Sequence, residues 1–492
     1  MPSPQEASKL LSLCFSKAKA SSSFKNGEGV LNYCLNKASE NKFNAYIRTC
    51  PEYAKKKLDE SHEKPEHPLK GVPFAVKDAF CTQGIQTTMA SNILKDYIPP
   101  YTATVVKRLE DVGAVMIGKT NMDEFAMGSG TIFGAFGETR NPLDEKKIAG
   151  GSSGGSAACV AEESCFFSLG TDTGGSVRLP ASYCGVVGFK PSYGSCSRYG
   201  MISYGSSLDT CGIFSKTVRE SAIVFNTLSG NDQNDPTTKL NVSPVDLSKL
   251  DSIDNEYNKG ILKNVKIGIP VEYFVDELND NIVKVWEETI KWIQDQTGAQ
   301  VEYVSLPHSK EALSTYYVIA TAEASSNLSR YDGLRYGNKV SKNQDLLAYY
   351  LQNRSEGFGN EVLRRIVSGN FALSVDKYDT FFKKAQQTRR LIANDFYQVL
   401  QDQGIDYLLT PCTPTPAIDR DLFTKMSPVE MFVNDIFTVP SSLAGVPAIS
   451  VPIEINDPNK EGSKSKIGLQ LIALSEQSCL EGATVLEKVK LA

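Results

Sequence analysis

The chain has 492 residues, 41% hydrophobic and 22% charged, with a formal net charge of −5. Those proportions describe a globular chain long enough to bury a large core, and the mild acidity argues against the concentrated basic surface that nucleic-acid backbones require. No apolar run reaches the roughly 20 residues that span a bilayer.

The eleven cysteines are scattered, odd in number and free of any C-x-x-C pair. That argues against a disulfide framework or zinc site and for a reducing compartment. Only three histidines occur: His62 and His67 in the solvated stretch SHEKPEHP, and His308 in SLPHSK. The first 25 residues hold lysines and serines but no arginine. Transit peptides are usually Arg-rich, so this is a weak targeting signal that an ordinary surface helix fits equally well.

In chain order, residues 5–60 show helical periodicity, broken near Asn26-Gly27. GVPFAV (71–76) is a short apolar run bounded by glycine and charge, which predicts a buried strand. An amphipathic helix over 103–112 leads into a second buried strand, AVMI (114–117). Glycine-rich turns then alternate with short strands and helices to about residue 230, as an α/β sheet requires. A polar excursion (231–262) precedes strand 265–270, helix 281–298 and strand 300–306. Residues 310–402 read as mostly helical, ending in one long amphipathic segment (379–401). DYLLT (406–410), AISVPI and IGLQLI complete a mixed α/β layout with no internal repeat.

Three chemistries compete for the glycines. GAVMIGKT (113–120) satisfies the letters of a phosphate-binding loop. A helix precedes it, however, and Ala-Val-Met-Ile favours a strand over a loop whose N–H groups wrap phosphate. GGSSGGSAA (150–158) twice matches the G-x-S-x-G nucleophile elbow. That reading needs a general-base histidine downstream, and only His308 is available, with no acidic partner evident. The third possibility is a lysine base, kept neutral by burial, acting on a serine. Lys77, at the end of PFAV, is placed for it, with solvent exit as the bland alternative. Asp78 beside it points the other way in an extended segment. In GTDTGGSVR (170–178), Gly174 and Gly175 bare their N–H groups just before Ser176. This suits an oxyanion hole, although a tight glycine turn explains the same residues.

Lys77 after PFAV, GGSSGGSAA and GTDTGGSVRLPA together resemble the amidase signature family. GKTNMDEFAMGSGT, CGVVGFKPSYGSCSRYGMISYGSSLD, SSNLSRYDGLRYG, SEGFGNEVLRRIVSGNFALS and NDIFTVPSSLAGVPAISVP narrow the resemblance to its branch of tRNA-dependent amidotransferase A subunits. The resemblance implies one amidase-signature domain over 1–492, a large mixed β-sheet covered by helices on both faces. N-terminal helices would fill about 1–60 and a mostly helical segment about 310–402.

Residue by residue, it implies Ser176 as acyl-forming nucleophile, Ser152 as a bridging serine on a cis peptide, and Lys77 as base. Thr173, Gly174, Gly175 and Ser176 would supply oxyanion N–H groups. Tyr316, Arg365 and Asp435 would bind the substrate's α-carboxylate and α-ammonium, with Arg364 as the alternative arginine. Ser153 and Ser156 are expected as helix N-cap and first-turn residues ahead of AACVA, and Arg178 as a structural ion-pair residue. VAEES (160–164) and CGIF (211–214) depart from the family pattern, away from these residues.

The implied activity is glutamine hydrolysis delivering ammonia to convert Glu-tRNA(Gln) to Gln-tRNA(Gln). The implied partners are B and C subunits. No metal or cofactor is expected in this chain; ATP and Mg²⁺ are expected at the B subunit, as is most of the tRNA contact. The alternative is a free-standing amidase acting on other small amides. The expected compartment is the mitochondrial matrix for a eukaryotic source and the bacterial cytoplasm otherwise, with no membrane contact.

Overall fold

The short apolar runs become strands of one sheet. A computed structural model of the chain describes residues 27–255, 260–337, 345–456 and 464–491. The strands are β1 (Tyr46–Thr49), β2 (Pro73–Lys77), β3 (Val115–Thr120), β4 (Phe167–Asp172), β5 (Val187–Lys190), β6 (Thr210–Ser215), β7 (Lys266–Pro270), β8 (Gln300–Val304), β9 (Tyr407–Pro411), β10 (Ala448–Asn456) and β11 (Lys464–Ile472). They pair in the order β1-β3-β2-β4-β6-β5-β10-β11-β9-β7-β8. The sheet is mixed. β2 runs parallel to β3 and β4, and β7 parallel to β8 and β9. The central pairs β4–β6, β5–β6, β5–β10, β10–β11 and β9–β11 are antiparallel.

β2, β3, β4 and β9 are buried at every residue, so helices and loops cover both faces there. That is why these strands read as unbroken apolar runs and not as alternation. The helix Asp280–Thr297 docks its fully buried Trp286 on the sheet, and the indole N–H donates to Leu409 O at 3.1 Å.

All but the first two residues of GAVMIGKT fall in β3, as the apolar content demanded. Lys119 Nζ donates to Phe80 O and Thr87 Oγ1 and lies 3.3 Å from Asp78. The helical reading of residues 5–60 fails in its middle. Helices span Gly27–Glu40 and Pro51–Ser61, but Tyr46–Thr49 is a strand pairing antiparallel with β3. Asn41 and Asn44 adopt positive φ and stop the first helix, and the aromatic and β-branched residues of YIRT then suit a sheet edge. Residues 1–26, with the targeting signal, lie outside the described residues.

The late helical region contains Ala312–Leu328, Leu346–Gly357, Asn360–Leu373 and Lys384–Tyr397. Among the described residues no helix is long and apolar enough to cross a membrane. In the parallel register of β2 and β4, Val76 pairs with Leu169. The carboxyl ends of both strands therefore lie side by side, the end at which open α/β sheets present their chemistry.

Candidate active site

Lys77 is the last residue of β2 and is wholly buried. Its Nζ donates to three hydroxyls: Ser152 Oγ at 2.7 Å, Ser153 Oγ at 2.8 Å and Thr171 Oγ1 at 2.8 Å. No salt bridge reaches it among the described residues. Asp78 faces away and accepts from Thr88 N–H and Oγ1. Burial pushes the ammonium of Lys77 down to about 7, against the opposing pull of Asp123, Asp172 and Asp209.

Ser152 follows a cis peptide bond from Gly151 and is buried. The helix Gly154–Ala161 starts directly afterwards, with Ser153 at its N-cap position. Contrary to the N-cap expectation, the Ser153 side chain makes no capping bond. It turns towards the sheet, donating to Thr171 O at 3.2 Å while accepting from Lys77. Thr131 Oγ1 accepts from Gly154 N–H instead. Ser156 sits in the first turn and bonds Thr120 Oγ1 at 2.6 Å.

After β4 the chain makes a buried turn through Thr173, Gly174, Gly175 and Ser176. Among the described residues the N–H groups of Gly174, Gly175 and Ser176 have no protein acceptor. Buried backbone donors are rarely left so. Ser176 is 8% exposed, and its hydroxyl makes no hydrogen bond among the described residues. At Gly174 a Cβ would meet Tyr316 Cζ at 2.6 Å, so only glycine lets the ring close over the turn. Arg178, two residues on, is fully committed elsewhere. It forms a two-pronged pair with Asp172 at 2.9 and 3.0 Å and donates to Thr438 O, Ser441 Oγ, Ser442 Oγ and Gln470 Oε1.

The three expected substrate residues gather beside this turn. Tyr316 OH lies 3.0 Å from Thr173 Oγ1. The Asp435 carboxylate approaches Gly175, and burial pushes its pKa up to about 7, opposed by Tyr317 and Arg365. Arg365 is 5% exposed, donates to Glu361 Oε1 and Tyr204 OH at 2.8 Å each, and packs on the Tyr317 and Phe432 rings. Arg364 pairs with Glu361 and is half-exposed, which leaves Arg365 as the inward arginine.

Sequence reasoning missed Ser153 and Thr171 around Lys77, and Tyr204, Tyr317 and Glu361 around Arg365 and Asp435. Tyr317, not Tyr316, donates to Asp435 Oδ2, at 3.2 Å. Glu361 was findable, because it precedes Arg365 by one helical turn. The others come together only through long-range folding.

His308 does have an acidic partner, Asp395, at 3.0 Å, but none of its bonds reaches a site serine. No cluster of three or more metal-ligating side chains occurs among the described residues. A separate cavity of about 660 Å³, lined by Cys81, Tyr97, Met201, Arg330 and Tyr336 among others, contains none of the site residues.

The sequence profile of the family described as Amidase matches residues 29–480. The chain is 48% identical over 420 residues to the glutamyl-tRNA(Gln) amidotransferase A subunit of Carboxydothermus hydrogenoformans, covering 84% of each. It is 45% identical to the corresponding A subunit of Geotalea daltonii, covering 92% of this chain and 91% of that one. The crystal structure of the glutamyl-tRNA(Gln) amidotransferase A subunit from Thermotoga maritima superposes with a TM-score of 0.75 at 35% identity, covering 96% of this chain and 92% of that chain. A crystal structure described only as an amidase gives the same TM-score at 27% identity. With its fold, its profile and these relatives in agreement, the chain belongs to the amidase family, alongside the A subunits of glutamyl-tRNA(Gln) amidotransferases.

Proposed function

We propose that this chain hydrolyses glutamine through Lys77, Ser152 and Ser176 and supplies the ammonia that converts Glu-tRNA(Gln) to Gln-tRNA(Gln). The observation that carries this reading is a buried lysine hydrogen-bonded to hydroxyls alone, one of them Ser152. A neutral amine has two N–H donors and one lone pair. The Ser153 proton is committed to Thr171 O, so Ser153 accepts from Lys77. Ser152 is then free to give its proton to the Lys77 lone pair.

As Ser176 Oγ attacks the carboxamide carbon, its proton passes to Ser152, and that of Ser152 to Lys77. The tetrahedral oxyanion is held by N–H groups of the Thr173–Ser176 turn, whose acceptor-free donors support that role. The proton returns by the same path to the amide nitrogen, the C–N bond breaks, and ammonia leaves. Water then attacks the acyl-enzyme and releases glutamate. Arg365 takes the substrate α-carboxylate, Asp435 its α-ammonium, and Tyr316 borders the turn.

The named relatives are A subunits of an amidotransferase, which supports a complex with B and C subunits. In this reading tRNA, ATP and Mg²⁺ are handled by the B subunit, and this chain needs no cofactor of its own. The compartment follows the source: bacterial cytoplasm, or mitochondrial matrix in a eukaryote. The test is ammonia release by the full chain, co-expressed with B and C subunits. Glutamine should be preferred over simple aliphatic amides, and preference for the latter would replace this reading with a free-standing amidase. Ser176→Ala should abolish glutamine-dependent transamidation, by about a thousandfold or more, and leave ammonia-dependent transamidation intact.

A further inference from the structure

Asp123 lies in the turn after β3, fully buried, and none of the steps above uses it. Its carboxylate accepts three backbone N–H groups: Thr131 at 2.8 Å, Ile132 at 2.9 Å and Phe133 at 3.1 Å. Its own N–H donates to Ser152 O at 3.1 Å. Thr131, held by that carboxylate, donates its hydroxyl to Gly150 O and accepts from Gly154 N–H, at 2.8 and 2.9 Å. The carboxylate also lies directly against Gly151, where any Cβ would collide with it. The segment Gly150–Gly154 is thereby tied at three points, at Ser152 by the Asp123 backbone N–H and at Gly150 and Gly154 by the threonine that the carboxylate orients.

We propose that Asp123 is a positioning residue for amide hydrolysis, bracketing the Gly150–Gly154 segment so that Ser152 Oγ stays on Lys77. The proposal rests on the Lys77–Ser152–Ser176 reading. Three carboxylates raise the proton affinity of Lys77 by their charge, without an ion-pair contact: Asp123 in this turn, Asp172 at the end of β4, and Asp209 on the approach to β6. Asp172 is committed to Arg178 and Asp209 to the N–H groups of Tyr204 and Gly205. Asp123 therefore acts on the relay twice, through its hydrogen bonds and through the charge that raises the proton affinity of Lys77.

Those two actions separate experimentally in the full chain co-expressed with B and C subunits, measured as glutaminase kinetics against pH. Asp123→Asn keeps the size, turns one acceptor oxygen into a donor group and removes the charge. It should lower kcat about tenfold or more with KM within about twofold, and move the acidic limb of the profile about half a unit or more to lower pH. Thr131→Val cuts the bonds to Gly150 and Gly154 but leaves the charge. It should lower kcat about fivefold or more with the limb in place, and Thr131→Ser should restore it.

Wild-type kcat in Asp123→Asn, or a loss with an unmoved limb, overturns the proposal. Should Asp123→Asn not fold, the threonine pair decides alone, and wild-type kcat in Thr131→Val overturns it. Full glutaminase activity in Lys77→Ala would instead sink the underlying assignment of the base.

Discussion

Two buried cations flank the end of β4, and the protein treats them in opposite ways. Successive residues of the strand face opposite sides of the sheet: Thr171 meets Lys77, and Asp172 meets Arg178. Lys77 hydrogen-bonds only to neutral hydroxyls, no carboxylate among the described residues is in ion-pair contact with it, and burial lowers its proton affinity. Around Arg178 there is a two-pronged carboxylate and four further oxygen acceptors. A buried cation with a counter-ion is a fastener, and one without is poised to give up its proton. Burial alone does not tell them apart; the partner does.

The largest expected effect exchanges the two behaviours. Arg178→Met leaves the Asp172 carboxylate buried and unpaired, which costs about 3–5 kcal/mol and should appear as a marked fall in thermal midpoint. Lys77→Met removes glutaminase activity by about a thousandfold or more but should leave the midpoint unchanged or raised. The reason is linkage. The folded pKa of Lys77, about 7, lies below the unfolded value near 10.4. Burying the ammonium is therefore a penalty, fully present below pH 7 where the lysine is protonated folded and unfolded, and relieved as pH rises towards 10.4, the range in which folding releases the proton. A Lys77→Met protein that unfolds far more easily than wild type would show that the lysine is a fastener after all.

The same contrast explains what could be read before the structure. Lys77 stands out as a candidate because an uninterrupted apolar run ends in it, and Ser152 and Ser176 because glycines crowd both, but their separate roles come only with the family resemblance. Arg178, two residues after Ser176, is expected as an ion-pair residue, with Asp172 left unnamed. Ser153 does stand at the N-cap position that a serine before a helix suggests, but its side chain makes no cap bond, and only the closure of β4 on β2 turns it to Lys77. The Tyr316–Tyr317 pair shows the same limit. Adjacent helix residues diverge by about 100°, and sequence could not say which meets Asp435. β1 was lost because four residues are too short for periodicity to register.

A smaller effect lies in the pH profile. If neutral Lys77 is the base, activity is present above its folded pKa and lost as pH falls through about 7. The acidic limb of kcat/KM should therefore sit near 7. Lys190 is a control with the same displacement to about 7, also from burial, but its Nζ donates to Val446 O and Pro191 O. Lys190→Met should leave the limb where it was. A limb that moves with Lys190 and not with Lys77 would reverse the assignment.

The smallest effect tests whether the hydroxyl cage sets the base. Thr171→Val removes one oxygen from Lys77 while keeping side-chain size. A hydrogen bond to an ammonium contributes about 1.5–3 kcal/mol and one to a neutral group about 0.5–1.5. Losing Thr171 Oγ1 thus penalises the protonated lysine more, by about 1 kcal/mol, and lowers its pKa by roughly 0.7 unit. The acidic limb should move down by that amount while the plateau kcat falls only a few-fold, because Ser152 still reaches Nζ at 2.7 Å. An upward shift would mean that Thr171 donates to the neutral lysine and stabilises the base itself, and Ser152 would then lose its place as the hydroxyl that meets the lone pair.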